Sequence, residues 1–174
     1  RREWERLQKA TTQAIRSIKA AGGPNREAQL LTVIGITLHS LQDFYSHSNW
    51  IEKQGVPGVD GTDWSKLSVG HTPTWFDVPP VIRDTLNVYI GESSTHKDRP
   101  HGAWNTEGNK AMAKGVNKDW PGRPGYEDAY TSAYFATRQW LQAVREVVAD
   151  DTLWTRMRNY GDRHGSALDH DLKY

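Results

Sequence analysis

Apolar residues recur at helical spacing in two long stretches, one at each end of the chain. Between Glu3 and Ala20, Trp4, Leu7, Thr11, Ala14, Ile15 and Ile18 share one face and the charges lie opposite, which predicts an amphipathic helix. Gly22-Gly23-Pro24 ends it. Asn25 is placed as an N-cap, with Arg26-Glu27-Ala28 as the first turn of a second helix. Leu30, Leu31, Ile34, Leu38, Leu41 and Tyr45 carry the helical period onward towards Trp50. The two helices form a hairpin, with the first as scaffold. The second long stretch, Glu127 to Ala149, repeats Ala129, Ala133, Ala136, Trp140, Ala143 and Val147 at threes and fours. An alanine-rich face permits close packing, here expected against the helix that begins after Asn25. Asp150-Asp151-Thr152 then breaks the pattern and caps a last short helix, Leu153 to Tyr160.

The middle of the chain lacks this regularity. From Lys53 to Pro80, Gly55, Pro57, Gly58, Gly61, Gly70, Pro73, Pro79 and Pro80 punctuate a long connection. A loop of such length inside a domain is usually functional or mobile, and its Trp64, Trp75, Phe76 and Asp77 suit the wall of a cleft. Val81 to Ile90 reads as one short helix opened by Pro79-Pro80; a strand over Leu86 to Ile90 is the alternative, without an evident partner. A polar loop, Glu92 to Asn105, precedes a short helix from Glu107 to Lys114 and a turn-rich segment through Gly125. The fold predicted is all-α, a helical bundle with two long core helices and long aromatic-rich loops.

Composition narrows this picture. A chain of 174 residues is most simply one domain. Only 36% of it is hydrophobic, but eight tryptophans and seven tyrosines concentrate apolar surface at few positions. Lys and Arg number 22 against 21 for Asp and Glu, a balance that argues against a broad nucleic-acid-gripping face. The chain has no cysteine, which removes disulfides and thiolate metal sites together. No apolar run reaches the length of a membrane span. The start at Arg1, without a methionine, is expected of a piece trimmed from a longer chain.

The candidate chemistry centres on His39, Asp43 and His47, at i, i+4 and i+8 of the second helix. Each step of four rotates a helix by only about 40°, so the three side chains leave one stripe roughly 80° wide. Ala28, Thr32, Gly35 and Ser46 on the same stripe are small, which would admit a backbone, a metal or a substrate. Imidazole and carboxylate are what zinc takes when thiolates are absent, and Asp43 suits a direct ligand or the orienter of a histidine. The bland reading, a polar stripe hydrogen-bonded to the rest of the fold, stands level with the metal reading on spacing alone. His71, held between Gly70 and Pro73, is the best loop histidine for a further ligand, against an exposed turn histidine as the commoner outcome. His96, Asp98 and His101 flank one another in a loop where solvated side chains are the usual result. Asp119 suits an oxygen ligand and Lys118 a phosphate-facing cation, with turn chemistry as the alternative for both.

The wording around the stripe is more specific than its spacing. Leu38-His39-Ser40-Leu41-Gln42-Asp43-Phe44-Tyr45-Ser46-His47-Ser48-Asn49-Trp50 resembles the signature of the HET-C (heterokaryon incompatibility) family. A weaker second block, His101-Gly102, then Gly115-Val116-Asn117-Lys118-Asp119 and Arg123-Pro124, resembles the segment that follows in such chains. The resemblance covers roughly residues 25 to 145 and implies a distant likeness to the all-helical zinc-dependent phospholipases C and single-strand nucleases, which use a His-x-x-x-Asp pair on a core helix. It raises His101 to a candidate ligand. The chain departs from those relatives in lacking a second such pair. The residues four after His71, His96, His101 and His164 are Trp75, Pro100, Asn105 and Leu168.

Two readings of function follow. In the first, the domain is a zinc-dependent phosphodiester hydrolase of phospholipase C type, secreted or otherwise outside the cytoplasm. Its metal ligands would be His39, Asp43, His47, His71, His101 and Asp119, and its catalytic groups Asp43 and Lys118. Its substrate would be a phospholipid or another phosphodiester, with Trp64, Trp75 and Phe76 resting on a membrane surface. In the second, it is a non-catalytic interaction or membrane-associating domain whose metal is structural or absent.

Overall fold

The structure, a computed structural model, describes residues 2–53, 73–83, 88, 118, 121 and 125–161. Among them the fold is all-α: α1 (Arg2–Ala21), α2 (Arg26–His47), α3 (Trp50–Lys53), α4 (Pro80–Arg83), α5 (Tyr126–Val148) and α6 (Asp151–Arg158). Both long periodic stretches are long helices. The chain divides into two compact units, one formed by residues 1–38 with 140–174, the other by residues 39–139.

In the first unit, α1 buries Trp4, Thr11 and Ile15 and half-buries Leu7, Ala14 and Ile18, the face its sequence marks out. Its first turn carries Glu3 and Glu5 and its last turn Lys19, charges that suit the two ends of the helix dipole. Gly22 closes it at φ +66°, a left-handed conformation that glycine adopts without strain, and its N–H reaches the Ile18 carbonyl at 3.1 Å. Asn25 accepts the first intrahelical bond of α2, from the Gln29 N–H. Leu30 and Ile34 of α2 are buried, as are Trp140, Val144 and Val148 of α5. Trp140 Nε1 donates to Thr37 Oγ1 at 3.1 Å, so an indole N–H is satisfied within the core. Lys19 Nζ donates to the Val148 carbonyl, placing a cation at the C-terminal end of α5. Asp150 caps α6 through its carboxylate, which accepts from the Leu153 N–H at 2.8 Å. Leu153 and Met157 then turn inward, and Arg156 pairs with the buried Glu27.

Of the small residues on the α2 stripe, Thr32 and Gly35 do not mark an approaching backbone. Both are exposed, and a methyl group added at Gly35 would meet nothing within 4 Å.

The second unit is built on aromatics. Leu41, Phe44 and Tyr45 of α2, Trp50 and Ile51 of α3, and Trp75 and Val78 of the following segment are all buried. Phe44 lies 5.1 Å from Tyr45, 5.6 Å from Trp50 and 5.8 Å from Trp75 between ring centroids, and Trp50 lies 5.7 Å from Trp75. These are the edge-on and tilted arrangements that ring quadrupoles favour. The polar ends of the rings are satisfied by backbone. Trp50 Nε1 donates to the Pro73 carbonyl at 2.8 Å, and the Tyr45 hydroxyl accepts the Trp75 N–H at 2.9 Å. Thr74 and Asp77 close a tight turn, with the Asp77 carboxylate accepting the Thr74 N–H at 2.8 Å. Gln139 of α5 bridges both, accepting from Thr74 Oγ1 and donating to Asp77 Oδ1, each at 2.7 Å. Trp75 is therefore a core residue rather than a lipid-facing one.

Candidate functional site

His39, Asp43 and His47 leave α2 on one stripe, yet their environments differ. The His39 side chain is 70% exposed and that of Asp43 34%, whereas His47 is buried. His39 Nε2 and Asp43 Oδ2 stand 3.2 Å apart. Two ligands held at about 2.0–2.1 Å on a tetrahedral zinc ion are separated by about 3.3 Å, so this pair matches one edge of a zinc site. The same separation suits an imidazole Nε2–H donating to the carboxylate. Among the described residues no three His, Asp or Glu side chains are gathered as a group able to hold a metal ion. The pair thus fits two ligand positions, and His47 does not join it as a third. His71, His101 and Asp119 lie outside the described residues.

Lys118 is fixed by the end of α2. Its backbone N–H donates to the Ser46 carbonyl at 3.0 Å and its Nζ to the Ser48 carbonyl at 2.8 Å, with the residue buried. Carbonyls at a helix C-terminus lack intrahelical donors and carry partial negative charge, so a buried ammonium there is electrostatically matched. Gly125 makes room for it. With φ +75°, a left-handed conformation, Gly125 presents a face on which a methyl group would lie 3.1 Å from Lys118 Cδ and 3.4 Å from Ile51 Cγ2. Its carbonyl accepts the Ala129 N–H at 2.9 Å and opens α5. A sequence reading that treats Lys118 as a phosphate-facing cation has no means of seeing the Ser48 carbonyl, 70 residues away.

Beside Asp43 runs a groove of about 400 Å³. Gln42, Asp43 and Ser46 of α2 line one side, and Tyr126, Tyr130 and Tyr134 of α5 the other. Lys118, Ala133 and Thr137 complete the described lining. Gln42 Nε2 donates to Thr137 Oγ1 at 3.1 Å and ties the two sides together. Tyr126 and Tyr130 stack with centroids 6.0 Å apart and planes 30° from parallel. The Arg138 guanidinium sits 5.8 Å from the centre of the Tyr134 ring. The tyrosine ladder has a sequence signal, the i, i+4, i+8 spacing of Tyr126, Tyr130 and Tyr134, but that row lies off the alanine-marked face.

In the aromatic core, full burial pushes the Tyr45 phenol well above its ordinary range, outweighing the lowering effect of the hydrogen bond from Trp75. Tyr45 is therefore a neutral structural group, not a proton donor or acceptor for reaction at ordinary pH.

A family model described as the VWA7 N-terminal domain matches residues 2–58, a span that includes α1, α2 and the His39–Asp43 pair. No curated protein and no solved structure matches the chain.

Proposed function

We propose that this domain is a metal-dependent phosphodiester hydrolase of phospholipase C type, with zinc as its metal. The observation that supports it is the His39–Asp43 pair, partly exposed and separated by the edge length of a zinc tetrahedron. His39 and Asp43 would hold the ion, and His71, His101 and Asp119 are the residues proposed to complete its ligand set. A bound zinc ion supplies Lewis-acid polarisation of a phosphoryl oxygen and makes a nucleophile of water near neutral pH. Asp43 would be a ligand of the ion or would position the attacking water. The substrate would be a phospholipid or another phosphodiester. Lys118 enters this mechanism as a positioning residue. By holding the carbonyls of Ser46 and Ser48, it fixes the end of the helix that carries Asp43.

The test is zinc-dependent hydrolysis of bis(p-nitrophenyl) phosphate and of phosphatidylcholine vesicles by the wild type, His39→Ala and Asp43→Ala. Both variants should lose at least about a hundredfold in kcat/KM, roughly 2.7 kcal/mol of transition-state stabilisation, while keeping their helicity. Retained activity in His39→Ala removes that residue from the mechanism.

One observation favours a second reading, a non-catalytic interaction domain: the sequence has no second His-x-x-x-Glu or His-x-x-x-Asp pair after α2. That reading predicts no turnover of either substrate by the wild type at any zinc concentration.

A further inference from the structure

The groove between Gln42–Ser46 and the tyrosine ladder shares Asp43 with the metal-type pair but has an aromatic wall of its own. Tyr130 and Tyr134 are 60% and 51% exposed, so each has ring surface available to a ligand. They lie one helical turn apart, and stacked Tyr126 extends the aromatic surface by another turn. Isolated exposed aromatics are ordinary, but successive rings along one wall of a groove form a platform. The facing wall offers the Gln42 amide, the Asp43 carboxylate and the Ser46 hydroxyl, with Thr137 at the junction. Donors and acceptors thus oppose a row of flat apolar faces across a space of ligand size.

The charges in the groove select among ligands. Its described lining carries one carboxylate, Asp43, and one ammonium, Lys118, whose Nζ already donates to the Ser48 carbonyl, and the Arg138 guanidinium lies against the Tyr134 ring. Without a bound metal, a ligand with a full charge of either sign would meet a like charge in or beside the groove. A neutral polyol meets neither penalty. A pyranose ring has an apolar C–H face that stacks on tyrosine and a rim of hydroxyls that each donate and accept, matching the opposite wall.

We infer that this groove is a carbohydrate-binding site that takes a short neutral glycan, its sugar rings on Tyr130 and Tyr134 and its hydroxyls on Gln42, Asp43 and Ser46. The inference stands on the groove alone and survives if the hydrolase reading fails.

The experiment is isothermal titration calorimetry of the full 174-residue chain, with and without EDTA, against cellotetraose, maltotetraose and chitotetraose. Saturable binding of at least one of these, insensitive to EDTA, is expected. Tyr130→Ala combined with Tyr134→Ala should weaken it by about tenfold or more, while Tyr130→Phe retains it. Both tyrosines are exposed, so helicity by circular dichroism should be unchanged in the variants. Absence of saturable binding of all three sugars at 10 mM overturns the inference, as does binding that the double variant leaves unaltered. Tetramethylammonium or a dinucleotide serves as the control ligand. Saturable binding of either, lost in the double variant while the sugars fail to bind, assigns the groove to that ligand class and also overturns the inference. Loss of sugar binding in the tyrosine variants with phosphodiester turnover absent throughout would uphold the glycan site and sink the hydrolase reading.

Discussion

Replacing Lys118 by methionine separates a structural from a catalytic role for this buried cation. Methionine keeps an unbranched stem of similar length, so packing beside Gly125 is largely preserved, but the Nζ donation to the Ser48 carbonyl disappears. A hydrogen bond from a charged donor contributes about 1.5–3 kcal/mol. Its match to the helix C-terminus belongs to the same electrostatics, so that contribution is not counted twice. Against the loss stands the desolvation cost of a buried ammonium, which the variant no longer bears. The net expectation is a loss of about 2 kcal/mol, or roughly 4–8 °C in a domain of this size. Urea unfolding followed by far-UV circular dichroism measures it. Gly125→Ala provides an independent check, since it leaves the ammonium in place but forces a Cβ to 3.1 Å from Lys118 Cδ at a φ of +75°. The left-handed conformation alone should cost about 1–2 kcal/mol. If Lys118→Met changes stability by less than about 0.5 kcal/mol while phosphodiester turnover falls a hundredfold, the ammonium acts on substrate and the helix-end account is wrong.

Two further predictions concern the aromatic core. Trp50→Phe keeps a ring in the cluster but removes the donor to the Pro73 carbonyl, so it should cost about 1–3 kcal/mol in the same urea assay; an unchanged midpoint would refute the importance of that bond. Tyr45 has its folded-state pKa raised by burial, so above about pH 10 the unfolded chain loses a proton that the folded chain retains. That contribution is fully present below the ordinary tyrosine pKa and is lost as pH rises past it. Wild-type stability should therefore fall faster than that of Tyr45→Phe above this pH, and parallel pH profiles would refute the assignment.

Helix positions were legible in the sequence because amphipathic period and caps are local. The α1 face, the stop at Gly22 and the Asp150 cap all follow from residues within a few positions of one another. The α5 face was legible only up to Trp140. Beyond it the buried positions are Val144 and Val148, each four residues on, rather than Ala143 and Val147. Counting Ala143 as a core marker misled there, since alanine buries little area and valine more, while Val147 is half-buried. Non-local pairings were not legible. Nothing near Lys118 in sequence points to the Ser46 and Ser48 carbonyls, and nothing in the irregular segment around Trp75 foretells that its indole enters the core with Phe44 and Trp50. Helical spacing correctly placed His39 beside Asp43, but spacing carries no information on depth, and His47 on the same stripe is buried.

The central claim is that His39 and Asp43 hold a zinc ion, and metal stoichiometry tests it most directly. Protein purified without a metal-bearing affinity tag is dialysed against zinc, freed of excess ion and measured by elemental analysis. The account predicts at least one zinc per chain in the wild type and loss of that zinc in both His39→Ala and Asp43→Ala. Wild-type protein that retains no zinc after this treatment, or variants that retain as much as the wild type, would contradict it.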